Sequence, residues 1–245
     1  MTTATAAWPR RLVLVRHAES MGNLARDSAE SNGEELIDIA HRDMDVPLSP
    51  TGEQQARALG GWIVDTGRPT AVYASPYVRA AETARLACAE ANVTVPIEFD
   101  ERLREREFGV LDRLTRAGIE ARFPAEAEAR GRVGKFYYRP PGGESWCDVA
   151  LRVRSVLDTI GREHADEDLV VVTHEVVVMV FRYVLERLSE ADLLALSAER
   201  ELANCSVTEY RLQPGPRPQL ELRAFDQVPG GMPVTVEPDV PRAPR

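Results

Sequence analysis

Cysteine is scarce in this sequence of 245 residues, which contains only Cys88, Cys147 and Cys205. No two of them stand at metal-ligand spacing, and an odd number cannot pair completely within one chain. A disulfide-stapled scaffold is therefore excluded as the fold class. We expect three reduced thiols in a cytoplasmic protein.

Long hydrophobic runs are also missing. The most apolar stretch, residues 169–184, contains Thr173, His174, Glu175 and Arg182 and falls short of the roughly 20 apolar residues that a membrane helix needs. Residues 1–10 lack the apolar core of a signal peptide. We expect neither a membrane-spanning helix nor a membrane partner.

Positive charge is in deficit, with 30 Lys and Arg residues against 39 Asp and Glu residues and a net charge of −9. Such a surface repels polyanions, so nucleic acid is a poor candidate partner. The 44% hydrophobic content supports a folded core. We expect one domain over residues 11–226, an N-terminal extension at 1–10 and a proline-rich tail at 227–245. No oligomeric state is predicted.

Two continuous aliphatic runs, residues 12–15 and 169–172, have the character of strands buried on both faces. Weaker strand patterns cover residues 70–74 and 93–99, and a late antiparallel pair is predicted over 204–212 and 219–224. Because strands alternate with helical patterns, the sequence predicts a three-layer α/β/α sandwich with a mainly parallel central sheet.

The helical patterns have recognisable start signals. Ser49-Pro50 and Ser75-Pro76 each place an N-cap before a proline at the first helical position. Predicted helices cover residues 51–64, 77–91, 145–162 and 176–188, with a short one at 34–41. Residues 124–144 are expected to form a loop.

Ionisable residues follow both aliphatic strands. Arg16 and His17 come directly after the first strand, and His174 follows the last. Neighbouring parallel strands would bring both imidazoles to one edge of the sheet, where α/β folds bind ligands. Arg79, in the first turn of a predicted helix, can reach the same edge. The four side chains would form a cationic pocket that suits a phosphoryl dianion.

Five ordered motifs within residues 10–212 contain these side chains. They are residues 14–23 (LVRHAESMGN), 47–56 (PLSPTGEQQA), 75–83 (SPYVRAAET), 103–109 (LREREFG) and 172–174 (VTH). Together they resemble the histidine phosphatase superfamily, which also contains the cofactor-dependent phosphoglycerate mutases. The resemblance implies that His17 is the nucleophile and forms a phosphohistidine.

The same resemblance implies the roles of other residues. Arg16, Arg79 and His174 would hold the phosphoryl oxygens, Asn23 would add a neutral donor, and Glu105 would be the general acid and base. Glu107 and Glu175 are competing carboxylates close in sequence. Glu175 also departs from the family pattern, in which a small residue follows the second histidine: its carboxylate either repels an anionic substrate or points away.

Other kinds of site are less consistent with the sequence. A zinc site is disfavoured because residue 178 is valine, so His174-Glu175 does not continue as a zincin motif. No cofactor or nucleotide motif is present, and the reaction is expected to need neither. His41 and His164 are interpreted as solvated. Lys135 and Arg139 are expected on a loop over the pocket, where either could help to bind a second anionic group.

Three functions remain open. The first is a metal-independent phosphomonoester hydrolase acting on a small phosphorylated metabolite, and the second is a phosphoglycerate-type mutase. The third is a phosphate-binding module without catalysis. Only 69 residues separate Glu105 from His174, a short insert with few basic residues, which favours hydrolysis. Residues 22–46 are expected to border the pocket and to disfavour highly anionic substrates through Asp27, Glu30, Glu34, Glu35 and Asp38.

Overall fold

The structure of the protein is a computed structural model that describes residues 8–199, 201–213, 215 and 219–232. Within these residues six strands form: β1 (Arg11–Arg16), β2 (Ala71–Ala74), β3 (Ile97–Phe99), β4 (Asp168–Thr173), β5 (Val207–Gln213) and β6 (Gln219–Gln227). The helices of the same residues are α1 (Met21–Ser31), α2 (Pro50–Thr66), α3 (Val78–Glu90), α4 (Arg116–Arg122), α5 (Pro124–Val133), α6 (Trp146–Glu163), α7 (Glu175–Leu185) and α8 (Glu190–Glu199). Residues 1–7 of the predicted extension and 233–245 of the predicted tail lie outside the described residues.

The strands form one sheet in the order β3-β2-β4-β1-β5-β6. The first four strands of this order are parallel, whereas β5 runs antiparallel to β1 and β6 antiparallel to β5. The predicted mainly parallel sheet with a late antiparallel pair is confirmed. The pairing of β1 with β4 matters most, because it sets the distance between the residues that follow these two strands.

Side chains of β1 alternate between two hydrophobic cores. Leu12 and Leu14 pack in the core that contains residues of α6 and α7, and Val13 and Val15 pack in the core that contains residues of α2 and α3. Each of these four side chains is at most 1% exposed, and burying one contributes about 1.5–3 kcal/mol. Helices therefore cover both faces of the sheet, which confirms the three-layer architecture.

Capping residues and local sequence patterns predicted some helices correctly and failed to predict others. Ser49 caps α2, as expected, by accepting the backbone N–H of Gly52, and Ser145 caps α6 by accepting that of Asp148. The helix predicted at 34–41 is wrong: the helix lies earlier, at α1, where Ser20 and Asn23 form a capping box. Both α4 and α5 were missed, the second inside the expected loop at 124–144.

The start of α3 also differs from the prediction. The helix begins at Val78, with Tyr77 rather than Ser75 in the N-cap position. The Ser75 hydroxyl instead lies 2.8 Å from Nε2 of His174. A side chain expected to cap a helix is therefore in contact with one of the two candidate-site histidines.

Gly52 allows α2 to approach the loop that follows β1. A Cβ atom at this position would lie 1.9 Å from the Glu19 carbonyl oxygen. We expect Gly52→Ala to lower the free energy of unfolding by about 1–3 kcal/mol, because the backbone must shift to relieve the overlap. The matched control is Gly61→Ala in the same helix, where nothing lies within 4 Å, and it should raise stability by about 0.5–1 kcal/mol. Urea denaturation of both variants tests this, and equal midpoints would contradict it.

Candidate active site

Two adjacent parallel strands bring His17 and His174 together. Arg16, at the end of β1, lies beside Thr173 of β4, and the backbone N–H of His17 donates to the Thr173 carbonyl oxygen at 2.8 Å. The two imidazole ring centroids are 5.1 Å apart. The sequence-based expectation that both rings meet at one sheet edge therefore agrees with the structure.

His17 is held as a neutral ring with a defined tautomer. Its Nδ1 lies 2.8 Å from the Ala18 carbonyl oxygen. Because a carbonyl oxygen only accepts, Nδ1 carries the proton and Nε2 keeps its lone pair. Burial, with the charges of Arg79 and Arg16, holds the pKa of His17 well below its usual range, so the ring is neutral at pH 7.

His174 is fully buried beside His17. Besides the contact of its Nε2 with Ser75, it packs against the ring of Tyr77 at a centroid distance of 5.3 Å. Burial and the nearby Arg79 hold its pKa well below the usual range. Its Nδ1 has no hydrogen-bond partner within the described chain. A buried polar atom without a partner is costly, and His174 lies behind His17 and is not itself among the residues that line the cavity.

Arg16 is 4% exposed and is surrounded by acceptors. Its Nη1 donates to the Leu202 carbonyl oxygen and its Nη2 to Oε1 of Glu201 at 2.8 Å. Arg26 donates to the same Glu201 oxygen at 2.8 Å. The two guanidinium groups outweigh the effect of burial and lower the pKa of Glu201, so this carboxylate stays ionised.

Arg79 reaches the same region from the first turn of α3. Its Nη1 donates to the Asp43 carbonyl oxygen at 2.6 Å and lies 3.0 Å from the Asp43 Oδ1. The Thr83 hydroxyl donates to the Arg79 carbonyl oxygen at 2.6 Å and accepts the backbone N–H of Ala18 at 3.0 Å. The start of α3 is thereby joined to the loop that carries His17.

Asn23 lies in the first turn of α1, in the wall of the same cavity. Its Oδ1 accepts the backbone N–H of Ser20 at 3.0 Å and the Ser20 hydroxyl at 2.8 Å. This bonding orients the side-chain amide and leaves its Nδ2 group as the donor for a ligand.

Glu105 is half-buried on a segment that is fixed to β4 and α6. The Thr173 hydroxyl donates to the Leu103 carbonyl oxygen at 2.7 Å, and Arg152 donates to the Glu105 carbonyl oxygen at 3.3 Å. Burial raises the pKa of the Glu105 carboxyl group. By contrast, Glu107 is exposed, and its carboxylate accepts the backbone N–H of Gly109.

A cavity of about 250 Å³ joins most of these side chains. Its polar lining includes Arg16, His17, Asn23, Arg79, Glu105 and Glu175. Its apolar lining includes Ile37, Ile39, Val46, Phe108, Leu111 and Leu114. The arrangement combines a neutral imidazole, cations and a carboxyl group of raised pKa next to space for a carbon skeleton.

The segment 22–46 borders this cavity, but not through the predicted carboxylates. Its acidic residue in the wall is Asp43; the other lining residues of the segment are apolar, neutral polar or basic. Asp27 pairs with Arg26 at 3.0 Å and Glu35 with Arg122 at 2.7 Å. The five predicted carboxylates are not among the residues that line the cavity.

Lys135 and Arg139 do not reach the cavity, so that expectation is wrong. The Lys135 ammonium group donates to the Ser197 hydroxyl at 3.1 Å and lies 4.9 Å from the Trp146 ring centroid. Arg139 pairs with Asp148 in the first turn of α6. Phe136, which lies between these two cations in the chain, is buried in the core that contains residues of α6.

The two remaining histidines differ from each other. His41 is exposed, as expected, although it lies at the cavity wall. His164 is 8% exposed, so the expectation that it is solvated is wrong. The Tyr73 hydroxyl lies 2.9 Å from its Nε2, and Glu167 lies 3.1 Å from its Nδ1. These contacts compensate for its burial.

Glu175 points into the cavity. It is the first residue of α7, its side chain is 19% exposed, and its Oε2 lies 3.9 Å from Nη1 of Arg16. Burial, opposed by Arg16, raises its pKa to about 7. Of the two orientations that the sequence left open, the structure shows the one that faces a ligand.

Two features are absent from the part of the chain that the structure describes. No three side chains of His, Cys, Asp or Glu are grouped so that they could hold a metal ion. No helix there combines the length and the apolar character required to cross a membrane.

Curated relatives share this sequence pattern. A phosphoglycerate mutase-like protein of Arabidopsis thaliana is 29% identical over 196 residues, which cover 71% of this chain and 64% of the relative. A 6-phosphofructo-2-kinase/fructose-2,6-bisphosphatase of Caenorhabditis elegans is 31% identical over 174 residues, 69% of this chain and 32% of the relative. The chain thus spans about one third to two thirds of the length of these two relatives.

Solved structures share the fold. A mycobacterial glucosyl-3-phosphoglycerate phosphatase in complex with VO3 is 25% identical, with a TM-score of 0.67 over 88% of this chain and 98% of that one. YhfR of Bacillus stearothermophilus is 26% identical, with a TM-score of 0.69, and the match covers 89% of this chain and 97% of that one. An alpha-ribazole phosphatase of Shigella flexneri is 17% identical, with a TM-score of 0.69, and the match covers 89% of this chain and 98% of that one. At this identity the match shows a similar fold alone.

A family model matches residues 12–224, a range that runs from β1 into β6 and includes all six candidate site residues. Its description is "Histidine phosphatase superfamily (branch 1)". Since this match covers most of the chain, the protein belongs to the histidine phosphatase superfamily.

Proposed function

We propose that the protein is a metal-independent phosphomonoester hydrolase that forms a phosphohistidine on His17 and acts on a small phosphorylated metabolite. The state of His17 carries this proposal. Its Nδ1 is tied to the Ala18 carbonyl oxygen at 2.8 Å and its pKa is depressed, so a neutral Nε2 is present beside cations and a carboxyl group. An imidazole in this state is a competent nucleophile.

In the first step the lone pair of His17 Nε2 attacks phosphorus. A P–N bond forms while the ester P–O bond breaks, and its electron pair leaves with the alcohol oxygen. Glu105 donates a proton to that oxygen. The raised pKa of Glu105 keeps it protonated closer to neutral pH than an ordinary glutamate.

In the second step water attacks the phosphoryl group. Glu105, now ionised, takes a proton from the water while the P–N bond breaks. The electron pair returns to Nε2 of His17, and phosphate is released. Both steps balance without a metal ion or a nucleotide.

Four donors would stabilise the phosphoryl oxygens during these steps. Arg16 and Arg79 supply positive charge, and Nδ1 of His174 and Nδ2 of Asn23 supply hydrogen bonds. Arg79 is also paired with the Asp43 carboxylate at 3.0 Å, so a phosphoryl dianion would compete with Asp43 for this guanidinium group. Fixed donors of this kind stabilise the charge that develops in the transition state.

The test is turnover of p-nitrophenyl phosphate and of a phosphomonoester panel in the presence of EDTA, with trapping of the labelled enzyme. We expect turnover to persist in EDTA. The label should be stable to alkali, lost in acid and located on the tryptic peptide of residues 17–26. Turnover that EDTA abolishes would overturn the metal-independent mechanism. Phosphate binding without label or turnover would indicate a binding module.

A mutase is the second candidate, because a 2,3-bisphosphoglycerate-dependent phosphoglycerate mutase of Gloeobacter violaceus is 36% identical over 143 residues, 58% of each chain. The cavity supports hydrolysis instead. Its lining cation from the stretch between Glu105 and His174 is Arg113, which already donates to the His41 carbonyl oxygen at 2.7 Å. Faster transfer of the label from His17 to 3-phosphoglycerate than to water would favour the mutase.

A further inference from the structure

The guanidinium groups that line the cavity already have acidic partners. Arg16 and Arg26 share Glu201, each at 2.8 Å. The shortest distance from Arg79 to an Asp43 carboxylate oxygen is 3.0 Å, and that from Arg113 to Asp112 is 3.8 Å. An arginine that is paired in this way offers less attraction to a further anion than one that faces only solvent.

The cavity wall also contains as many carboxyl groups as guanidinium groups. The guanidinium groups are those of Arg16, Arg26, Arg79 and Arg113, and the carboxyl groups are those of Asp43, Glu105, Asp112 and Glu175. The phosphoryl group of a substrate brings up to two negative charges, which Arg16 and Arg79 can offset beside His17. A second anionic group on the same substrate would lie among carboxylates and arginines that are already paired.

Besides Glu105, the proposed proton donor, the cavity wall carries the carboxylate of Glu175 beside the proposed phosphoryl site. Glu175 follows His174 directly, and its Oε2 lies 3.9 Å from Arg16, one of the proposed phosphoryl ligands. Because its pKa is about 7, the Glu175 carboxylate is mostly ionised only above neutral pH. Its side chain is mostly shielded from solvent, so that charge is then screened less than the charge of an exposed carboxylate. The apolar residues Ile37 and Leu114 line the same cavity and suit the carbon skeleton of an ester.

We propose that this cavity selects phosphomonoesters whose leaving group carries no second negative charge, and that Glu175 enforces the selection. Its carboxylate accepts a hydrogen bond from a hydroxyl or ammonium group of the leaving group and repels a carboxylate or a second phosphoryl group. The inference rests on the proposed hydrolase function and names the substrate class of that site. Bisphosphates and phosphorylated carboxylic acids are the disfavoured substrates.

Glycerol 3-phosphate and 3-phosphoglycerate test this selection because they share one three-carbon skeleton. Glycerol 3-phosphate has a hydroxymethyl group where 3-phosphoglycerate has a carboxylate. At a pH of about 8, where a carboxyl group of pKa about 7 is mostly ionised, we expect the wild type to favour glycerol 3-phosphate in kcat/KM by about tenfold or more, as a partly buried like charge at short range implies. Glu175→Gln should reduce this preference by about tenfold, chiefly by lowering KM for 3-phosphoglycerate.

The matched control is Glu53→Gln, which removes an exposed carboxylate from the first turn of another helix, α2. It should leave the preference between the two esters unchanged. A wild-type ratio near one, or the same ratio in wild type and Glu175→Gln, would overturn the selection while the hydrolase function stands.

Binding separates the two proposals if no ester is hydrolysed. Calorimetric titration of the catalytically silent His17→Ala protein with each ester gives Kd values that do not depend on turnover. We expect glycerol 3-phosphate to bind more tightly, and the added Glu175→Gln change to reduce the difference. Absence of hydrolysis with this ranking intact refutes the proposed function alone, and equal Kd values refute the selection.

Discussion

His17→Ala is expected to lower kcat for phosphomonoester hydrolysis by at least about 10⁴-fold, because it removes the atom that forms the bond to phosphorus. The depressed pKa of His17 and its bond to the Ala18 carbonyl oxygen leave Nε2 with the lone pair that attack on phosphorus requires. The measurement is steady-state hydrolysis of p-nitrophenyl phosphate, together with trapping of the phosphorylated enzyme.

A buried histidine outside the site provides the control for this loss. His164 lies just before β4, at the opposite end of that strand from His174, and contacts Tyr73 and Glu167. His164→Gln should lower stability but leave kcat within about threefold of the wild type, because the ring has no contact with the cavity-lining groups. More than one tenth of wild-type activity in a folded His17→Ala protein would show that another group is the nucleophile.

Glu105→Gln is expected to lower kcat/KM by about 10²–10⁴-fold for alkyl phosphates, which need a proton on the departing oxygen. p-Nitrophenyl phosphate should lose about tenfold or less, since its leaving group departs readily as an anion and needs little help from an acid. The two substrates therefore separate a proton donor from a residue that merely shapes the cavity. Comparing both substrates in one set of variants is the measurement.

The pH profile gives the same assignment a second test. For the wild type, hydrolysis of alkyl phosphates should fall as the pH rises through the elevated pKa of Glu105, because the ionised carboxylate cannot donate a proton. On the acid side, the depressed pKa of His17 keeps the nucleophile neutral well below the usual histidine pKa of about 6.5. The alkaline decline attributed to Glu105 should disappear in Glu105→Gln.

Glu107→Gln is the matched control for this prediction, since it makes the same change two residues away on an exposed side chain. It should leave both kcat/KM values within about threefold of the wild type. If Glu107→Gln lowered kcat/KM and Glu105→Gln did not, Glu107 would be the proton donor and the assignment to Glu105 would be wrong. A loss of the same size for both substrates in Glu105→Gln would indicate a structural role.

The sequence alone determined the framework that holds the site. The aliphatic runs of β1 and β4 are strands because their side chains are buried on both faces of a parallel sheet, and parallel pairing carries His17 and His174 to the same edge. Local chemistry also fixed the capped starts of α2 and α6. These signals depend on residues close together in the chain, so periodicity and capping reveal them.

Some errors arose where local patterns competed with long-range packing. The acidic stretch that includes Glu34 suggested a short helix, but Leu36 instead pairs with Leu114 as an isolated bridge. Ser75 resembled an N-cap, yet its hydroxyl contacts His174, 99 residues away. In each case the deciding partner is distant in sequence, and no local pattern identifies it.

Only the tertiary structure decided the charge of the cavity. Glu201 reaches Arg16 across 185 residues and Asp43 reaches Arg79 across 36, and such ion pairs leave no periodic signal in the chain. The sequence showed that Glu175 follows the second histidine, but the start of α7 directs its carboxylate into the cavity. Residue types thus determined which chemistry is available, and the packing of distant loops decided which charges meet the substrate, because electrostatic attraction depends on separation in space and not along the chain.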